Sequence, residues 1–464
     1  MSGLAPGPIP TPDHPGPTGP VDPAGRGKAR PTPGRRTIAV HRVAVTGLGA
    51  ITSLGGSAAE TWRRVVAGET GIRTQPHLDP ATYPCTLLGN VDDADIPARF
   101  LTGKAVRTTS RFARLSVEAA GEALIDAGLI DEGGDPLPGV DLLPGGALLG
   151  TCVGGTYDDM LPAYETFRSR GPGRVPPHLH VMFPHNLAAY AIQARFGLGG
   201  PSSTVVTACA TGAQAIGDAF HTVKFGRAPV MVAGAVESDN HPFFVAGFSA
   251  MRALVTDSND RPEMASRPFD ASRAGFVLGE GVGMVVLESW DHAVARGARV
   301  YAEILGFGSS NDAYHPIAPQ PEGEGAARAI LASLADAGLA PDAIDHVNAH
   351  AASTPAGDLA EAKAIERVYG ERAARLPVTS VKGAVGHCMG AAGAIETVVS
   401  ILSVAEQCVP PTRNYRTPDP EIRLDIVHGE ARAVPIWAMV THSFGLGGQN
   451  ACLVIGAAGE GGDD

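Results

Sequence analysis

Two apolar runs in this chain end in Gly-x-Gly, and each opens a stretch in which strand-like and helix-like segments alternate. The first is Val43-Ala44-Val45-Thr46-Gly47-Leu48-Gly49; the second, Ala302-Glu303-Ile304-Leu305-Gly306-Phe307-Gly308, restarts the rhythm. Strands that alternate with helices fold into layers, because a sheet face and a helix stripe each need an apolar partner. Both runs read as a short buried strand entering a glycine turn. The first is followed by helical patterns at 58–67 and 110–127 and by strand-like runs at 146–149, 203–206, 230–235 and 283–288. The second is followed by helices at 325–337 and 389–404, a strand at 346–349 and a closing strand at 451–455. The expected class is α/β, in two similarly built halves, 41–299 and 300–456.

Residues 1–38 are Pro, Gly, Arg and Thr with almost no large apolar side chain, so they read as a disordered leader, and 457–464 as a flexible tail. The prolines forbid the amphipathic helix of a transit peptide. A chain of 464 residues that is 44% hydrophobic can bury a large core, while a net charge of -12 argues against a general nucleic-acid binder. Cys85, Cys152, Cys209, Cys388, Cys408 and Cys452 form no CxxC pair or zinc-ligand spacing and read as reduced thiols of a cytoplasmic protein. No stretch reads as a transmembrane helix or signal peptide, so neither a metal nor a membrane is expected.

Cys209 lies in Thr207-Ala208-Cys209-Ala210-Thr211-Gly212, after a strand-like run and before a helical segment at 213–223. A helix N-terminus favours thiolate over thiol, which suits a nucleophile, although a lone cysteine is more often an inert apolar packer. His350 ends the run Val347-Asn348-Ala349, at the strand end where α/β sheets gather catalytic groups. His387 sits among small residues in Val385-Gly386-His387-Cys388-Met389-Gly390, where a helix N-terminus keeps imidazole neutral. Taken singly, each histidine also reads as a packing residue. Lys382 and Glu396 read as a surface ion pair or a buried pair that orients the site. The glycine turn Ser443-Phe444-Gly445-Leu446-Gly447-Gly448-Gln449-Asn450 is either an ordinary hairpin or a source of backbone NH groups for an oxyanion.

Jointly, these motifs resemble the β-ketoacyl-acyl carrier protein synthases, condensing enzymes of the thiolase superfamily, and most closely the synthase II type. The resemblance runs from Arg42 to Ile455 and includes Ser266-Arg267-Pro268-Phe269-Asp270 and Gly275-Phe276-Val277-Leu278-Gly279-Glu280-Gly281. It implies a duplicated, five-layered αβαβα fold. It also implies acyl carrier protein as partner, no cofactor, and a homodimer or a heterodimer with a chain-length-factor-like subunit. In its terms Cys209 accepts the acyl group, and His350 and His387 promote decarboxylation of malonyl thioester. Lys382 is the site lysine, with Glu396 and Asp358 in support. The Cys209 and Phe444 backbone NH groups form the oxyanion hole, and the Phe444 ring is the gate.

Thr354, Val153 and Phe248 correspond to substrate-binding positions, with Val153 near the pocket floor. Lys104, Arg107, Arg111 and Arg252 correspond to the carrier-protein docking face, or else form a solvated basic surface. The family's His-Gly-Thr-Ser-Thr reads His350-Ala351-Ala352-Ser353-Thr354 here, so one hydroxyl for the pantetheine arm is missing. A non-catalytic chain-length factor would lack the nucleophile, and a degradative thiolase would carry a second catalytic cysteine near the C-terminus.

Overall fold

Short runs rich in Val, Ile, Ala and Gly form the strands, and the computed structural model describes residues 40–238 and 241–459. The leader expected over 1–38 lies outside them, as does most of the expected tail; Ala457, where that tail was to begin, still belongs to a strand. The first half contributes β1 (Val43–Thr52), β2 (Gly146–Gly150), β3 (Ser202–Val205), β4 (Val230–Glu237) and β5 (Gly281–Ser289). The second contributes β6 (Ala302–Asn311), β7 (His346–Asn348), β8 (Pro377–Thr379), β9 (Ala438–Gly445) and β10 (Gln449–Ala457). In space they run β3-β2-β4-β5-β1 and β8-β7-β9-β10-β6, the same order in each half. The directions match too. In each half the second strand is parallel to the third and fourth, and the fifth is antiparallel to the fourth and first. The halves join where β1 pairs antiparallel with β6, Val43 opposite Ile304 and Val45 opposite Ala302.

Helices α1 (Arg111–Asp126) and α2 (Leu187–Phe196) cover the outer face of the first half, and α3 (Thr211–Lys224) covers its inner face. Helices α4 (Glu324–Ala337) and α5 (Pro355–Tyr369) cover the outer face of the second half. With α6 (Ala392–Glu406) beside α3 between the half-sheets, the layers are helix, sheet, helix, sheet, helix.

The two Gly-x-Gly pairs do not turn the chain; they lie inside β1 and β6. A Cβ on Gly47 or Gly49 would run into the Ala123 or Ala119 carbonyl oxygen of α1, and one on Gly306 or Gly308 into the backbone of α4 at Ser333. Glycine there lets an outer helix lie directly on the strand, at the same place in each half. Met389–Glu406, which joins a 3-10 turn to α6, has the length and mean hydropathy (1.4) of a membrane span, contrary to the expectation that no stretch does. It is 89% buried inside the fold, so its all-round apolarity is that of a core helix.

Candidate active site

The turn that carries Cys209 is strained. Ala208, a non-glycine residue, holds φ at 49°, and Thr207 N donates to Thr211 Oγ1 at 2.8 Å, which folds the chain back before α3 begins. Small residues then bring the two central helices together: a Cβ on Gly212 would meet the Ala394 backbone nitrogen of α6, and Gly393 lies against Ser443 Oγ and Ala213 N. Backbone contact at these helix starts sets Cys209, just before α3, beside His387, just before α6. His387 Nε2 lies 3.2 Å from Cys209 Sγ. The expected advantage of the helix end does not prevail, since burial pushes the Cys209 thiol up to about 11, against a hydrogen bond from the Leu446 NH and the charge of Lys382.

His387 is held by its backbone. Its NH donates to the Val277 carbonyl at 2.7 Å and its carbonyl accepts from Gly279 N at 2.9 Å, so the Phe276–Gly279 segment fixes the turn. The His350 ring packs edge-on to His387, with centroids 5.3 Å apart. Burial, then the positive charge of Lys382, holds both imidazoles well below the ordinary histidine value, so both are neutral. Lys382 is 1% exposed and ion-paired with Glu396, which settles the alternative between surface and buried pair. Burial raises the Glu396 carboxyl to about 7 against the pull of Lys382.

Cys209, His350, His387, Thr354, Phe248 and Phe444 all line one pocket of about 460 Å³, with Arg252 also on its wall. Lys382, Glu396 and Asp358 stand behind the lining. Asp358 accepts from Phe269 N at 2.8 Å and Thr354 N at 3.2 Å, bracing two segments of the wall, and burial raises it to about 7. Ser353 Oγ accepts from Arg267 N at 3.0 Å and Ala352 carries no hydroxyl, so in this stretch Thr354 supplies the one hydroxyl on the wall. Val153, expected near the pocket floor, does not line this pocket; it packs against the apolar cluster that includes Cys209, Phe244 and Met389.

Two expectations are corrected. The NH that reaches the Cys209 sulfur belongs to Leu446, not Phe444. Phe444 sits inside the β9–β10 ladder opposite Asn450, whereas Leu446 lies past its end, where the chain passes Cys209. Arg111 is not available for docking: its guanidinium bonds Glu280, which is fully buried, at 2.5 and 3.0 Å and also pairs with Asp93, fastening α1 to the sheet. Lys104, Arg107 and Arg252 are exposed.

Sequence reasoning missed three buried groups. Glu361, on α5, accepts from His350 N at 2.8 Å and Ala351 N at 2.7 Å. His442 donates to the same carboxylate from β9. Glu237, at the end of β4, accepts from Thr151 Oγ1 and Cys152 N at 2.8 Å and from Gly390 N at 3.1 Å, tying the Val153 loop to the turn after His387. The one available signal was the helical spacing that puts Glu361 a turn beyond Asp358.

Residues 40–293 match the family described as beta-ketoacyl synthase, N-terminal domain, and residues 301–416 its C-terminal domain. The chain is 41% identical over 416 residues to the 3-oxoacyl-[acyl-carrier-protein] synthase 2 of Coxiella burnetii, covering 89% of this chain and 98% of that one. It is 40% identical over 417 residues to the Synechocystis protein of the same name, covering 89% and 97%. Among solved structures, a beta-ketoacyl synthase from Burkholderia phymatum superposes with a TM-score of 0.82 at 33% identity, covering 90% of this chain and all of that one. A type II polyketide ketosynthase, solved with its acyl-carrier protein and bound to a hexaketide, superposes at 0.81 and 31% identity, with 90% and 100% coverage.

Proposed function

The chain belongs to the β-ketoacyl synthase family, and from that premise we propose that this pocket performs a decarboxylative Claisen condensation that lengthens an acyl chain by two carbons. The observation that carries this reading is the 3.2 Å approach of His387 Nε2 to Cys209 Sγ with the neutral His350 ring beside it. Cys209 attacks the thioester of an acyl group on its carrier protein while His387 takes the thiol proton, which then leaves on the pantetheine sulfur. Malonyl carrier protein follows. As its carboxylate departs as carbon dioxide, the electron pair enters the thioester carbonyl, and the enolate oxygen takes hydrogen bonds from the Nε2–H groups of His350 and of His387, whose ring has by then exchanged its Nδ1 proton for one on Nε2. The enolate carbon attacks the Cys209 thioester, whose oxygen faces the NH groups of Cys209 and Leu446. Collapse expels the cysteine sulfur and releases a β-ketoacyl carrier protein.

No metal or redox cofactor enters these steps, because loss of carbon dioxide supplies the carbanion. Substrates carried on acyl carrier protein imply the cytoplasm. With its nucleophile and both histidines in one pocket, the chain is not a chain-length-factor-like subunit. Cys452, the other candidate base of a thiolase, is opposite His442 in the β9–β10 ladder and fully buried. We read exposed Lys104, Arg107 and Arg252 as the face that meets the acidic carrier protein. The open edge of β3, with exposed Tyr190, Val206 and Phe243, is read as the dimer face. Cys209→Ala tests the central step: incubated with acyl carrier protein thioester, wild type gains the acyl mass on Cys209 and the variant gains none. An adduct on the variant would refute the assignment.

A further inference from the structure

Beyond the groups that face the reacting atoms, a third imidazole is built into the wall. His442 has no exposed surface, and its Nδ1 lies 2.9 Å from Glu361 Oε1. Both Glu361 oxygens already accept backbone hydrogen bonds, Oε1 from His350 N at 2.8 Å and Oε2 from Ala351 N at 2.7 Å. Glu361 is therefore an acceptor throughout, and chemistry assigns the proton of His442 to Nδ1. That leaves Nε2 bare, buried and without a hydrogen-bond partner among the described residues. A buried unpaired acceptor is destabilising in a way that an apolar side chain of similar size avoids, so the ring is explained by its other contacts. Those contacts run to two catalytic parts at once. The ring stacks on Phe444, centroids 5.4 Å apart at 29°, and Phe444 leans on the His350 ring at 6.0 Å. Phe444 in turn stands two residues before Leu446, the donor to Cys209.

We propose that His442 is a positioning residue, which fixes the His350 turn through the shared Glu361 carboxylate and fixes the Leu446 NH through Phe444. The two donors, past the ends of different strands, are thereby kept at one spacing. The inference rests on the decarboxylating role given to His350 above. Removing the ring leaves Glu361 with one donor fewer and Phe444 without its stacking partner, while every atom that touches substrate remains.

The test uses the full chain and three readouts: acylation of Cys209 by intact mass, carbon dioxide release from malonyl carrier protein, and the 15N spectrum of ring-labelled histidine. His442→Leu is expected to lower kcat for decarboxylation by about 10–100-fold, the size of a displacement of about 1 Å, with KM and acylation each within about 3-fold. His442→Asn, whose amide NH can reach the same oxygen, is expected to recover most of the loss. The spectrum is expected to contain an Nδ1–H tautomer signal that His442→Asn lacks. An equal loss of acylation and decarboxylation, no recovery by Asn, or an Nε2–H tautomer would each overturn the proposal. Should His442→Leu not fold, Glu361→Gln carries the same selective expectation, and its decarboxylating at the wild-type rate overturns the proposal too. His350→Ala separates the two readings: if it still decarboxylates, the role of His350 falls; if it does not while His442→Leu does, only the role of His442 falls.

Discussion

At Cys209 a helix start and a buried wall pull the thiol in opposite directions, and the wall prevails, holding it near 11. A thiol held that high needs a base within reach, and His387 Nε2 is 3.2 Å away, whereas His350 makes no hydrogen bond to the sulfur among the described residues. His350→Ala is therefore expected to acylate within about 3-fold of wild type, and His387→Ala to acylate about 10-fold or more slowly, given the 10²–10⁴-fold typical of general base catalysis. Both lose carbon dioxide release. Rapid-quench intact mass and a carbon dioxide assay read the two steps separately; equal acylation by the two variants would remove His387 from the first step. Because both imidazoles sit well below the ordinary value near 6.5, they stay neutral as pH falls and are expected to cause no loss of wild-type decarboxylation between about pH 8 and about pH 6, a window in which the Glu396 and Asp358 carboxyls, raised by burial to about 7, do titrate. A fall near pH 7 that Glu396→Gln or Asp358→Asn abolishes belongs to that carboxyl; one that persists in both variants would mean that a histidine titrates there.

Among the elements, β1 and β6 carry the clearest local cost of the architecture. Glycine in a strand gives up side-chain packing, yet at Gly47 any side chain would occupy the place of the Ala123 carbonyl of α1. Gly47→Ala is expected to destabilise the fold by about 2–3 kcal/mol through overpacking, whereas Gly173→Ala, with nothing within 4 Å of its added Cβ, leaves the melting temperature unchanged. Thermal unfolding of the two variants checks this, and an unchanged melting temperature for Gly47→Ala would show that α1 can lift from the strand at little cost.

Across the whole molecule, a net charge of -12 repels an acidic carrier protein unless a local basic face offsets it. Reversing Lys104, Arg107 and Arg252 to Glu is expected to raise the apparent KM for the carrier protein by about 10-fold at low salt, less as screening shortens to about 8 Å at physiological ionic strength, and to spare a small thioester mimic. Equal loss with both substrates would place docking elsewhere. The open edge of β3 makes a separate claim. Sedimentation is expected to give a dimer for wild type and a monomer for Tyr190→Asp combined with Phe243→Asp, while a dimer persisting in that variant would move the interface to another face.

Strands, helices and their duplication could be read from the chain because they follow local rules, apolar period and the restart at Ala302. Cys209, His350, His387 and Lys382 could be read only jointly, because each motif taken singly also fits a packing residue or a surface pair and it is their order along the chain that carries the resemblance. Where tertiary structure decided, the reason was always a partner far along the chain. The Gly-x-Gly pairs looked like turns because a strand's need for glycine lies in the helix laid across it. Arg111 looked like a free surface cation because its partner Glu280 is 169 residues away. The NH facing the Cys209 sulfur belongs to Leu446 rather than Phe444 because only the packed β9–β10 hairpin shows where the ladder ends. His442 was silent, and Glu361 marked only by its spacing from Asp358, because nothing in a single helix or strand shows which of its polar groups will be sealed together. Local sequence determined the elements and marked the candidate site groups; burial and close contact decided their protonation, their aim and the residues that hold them.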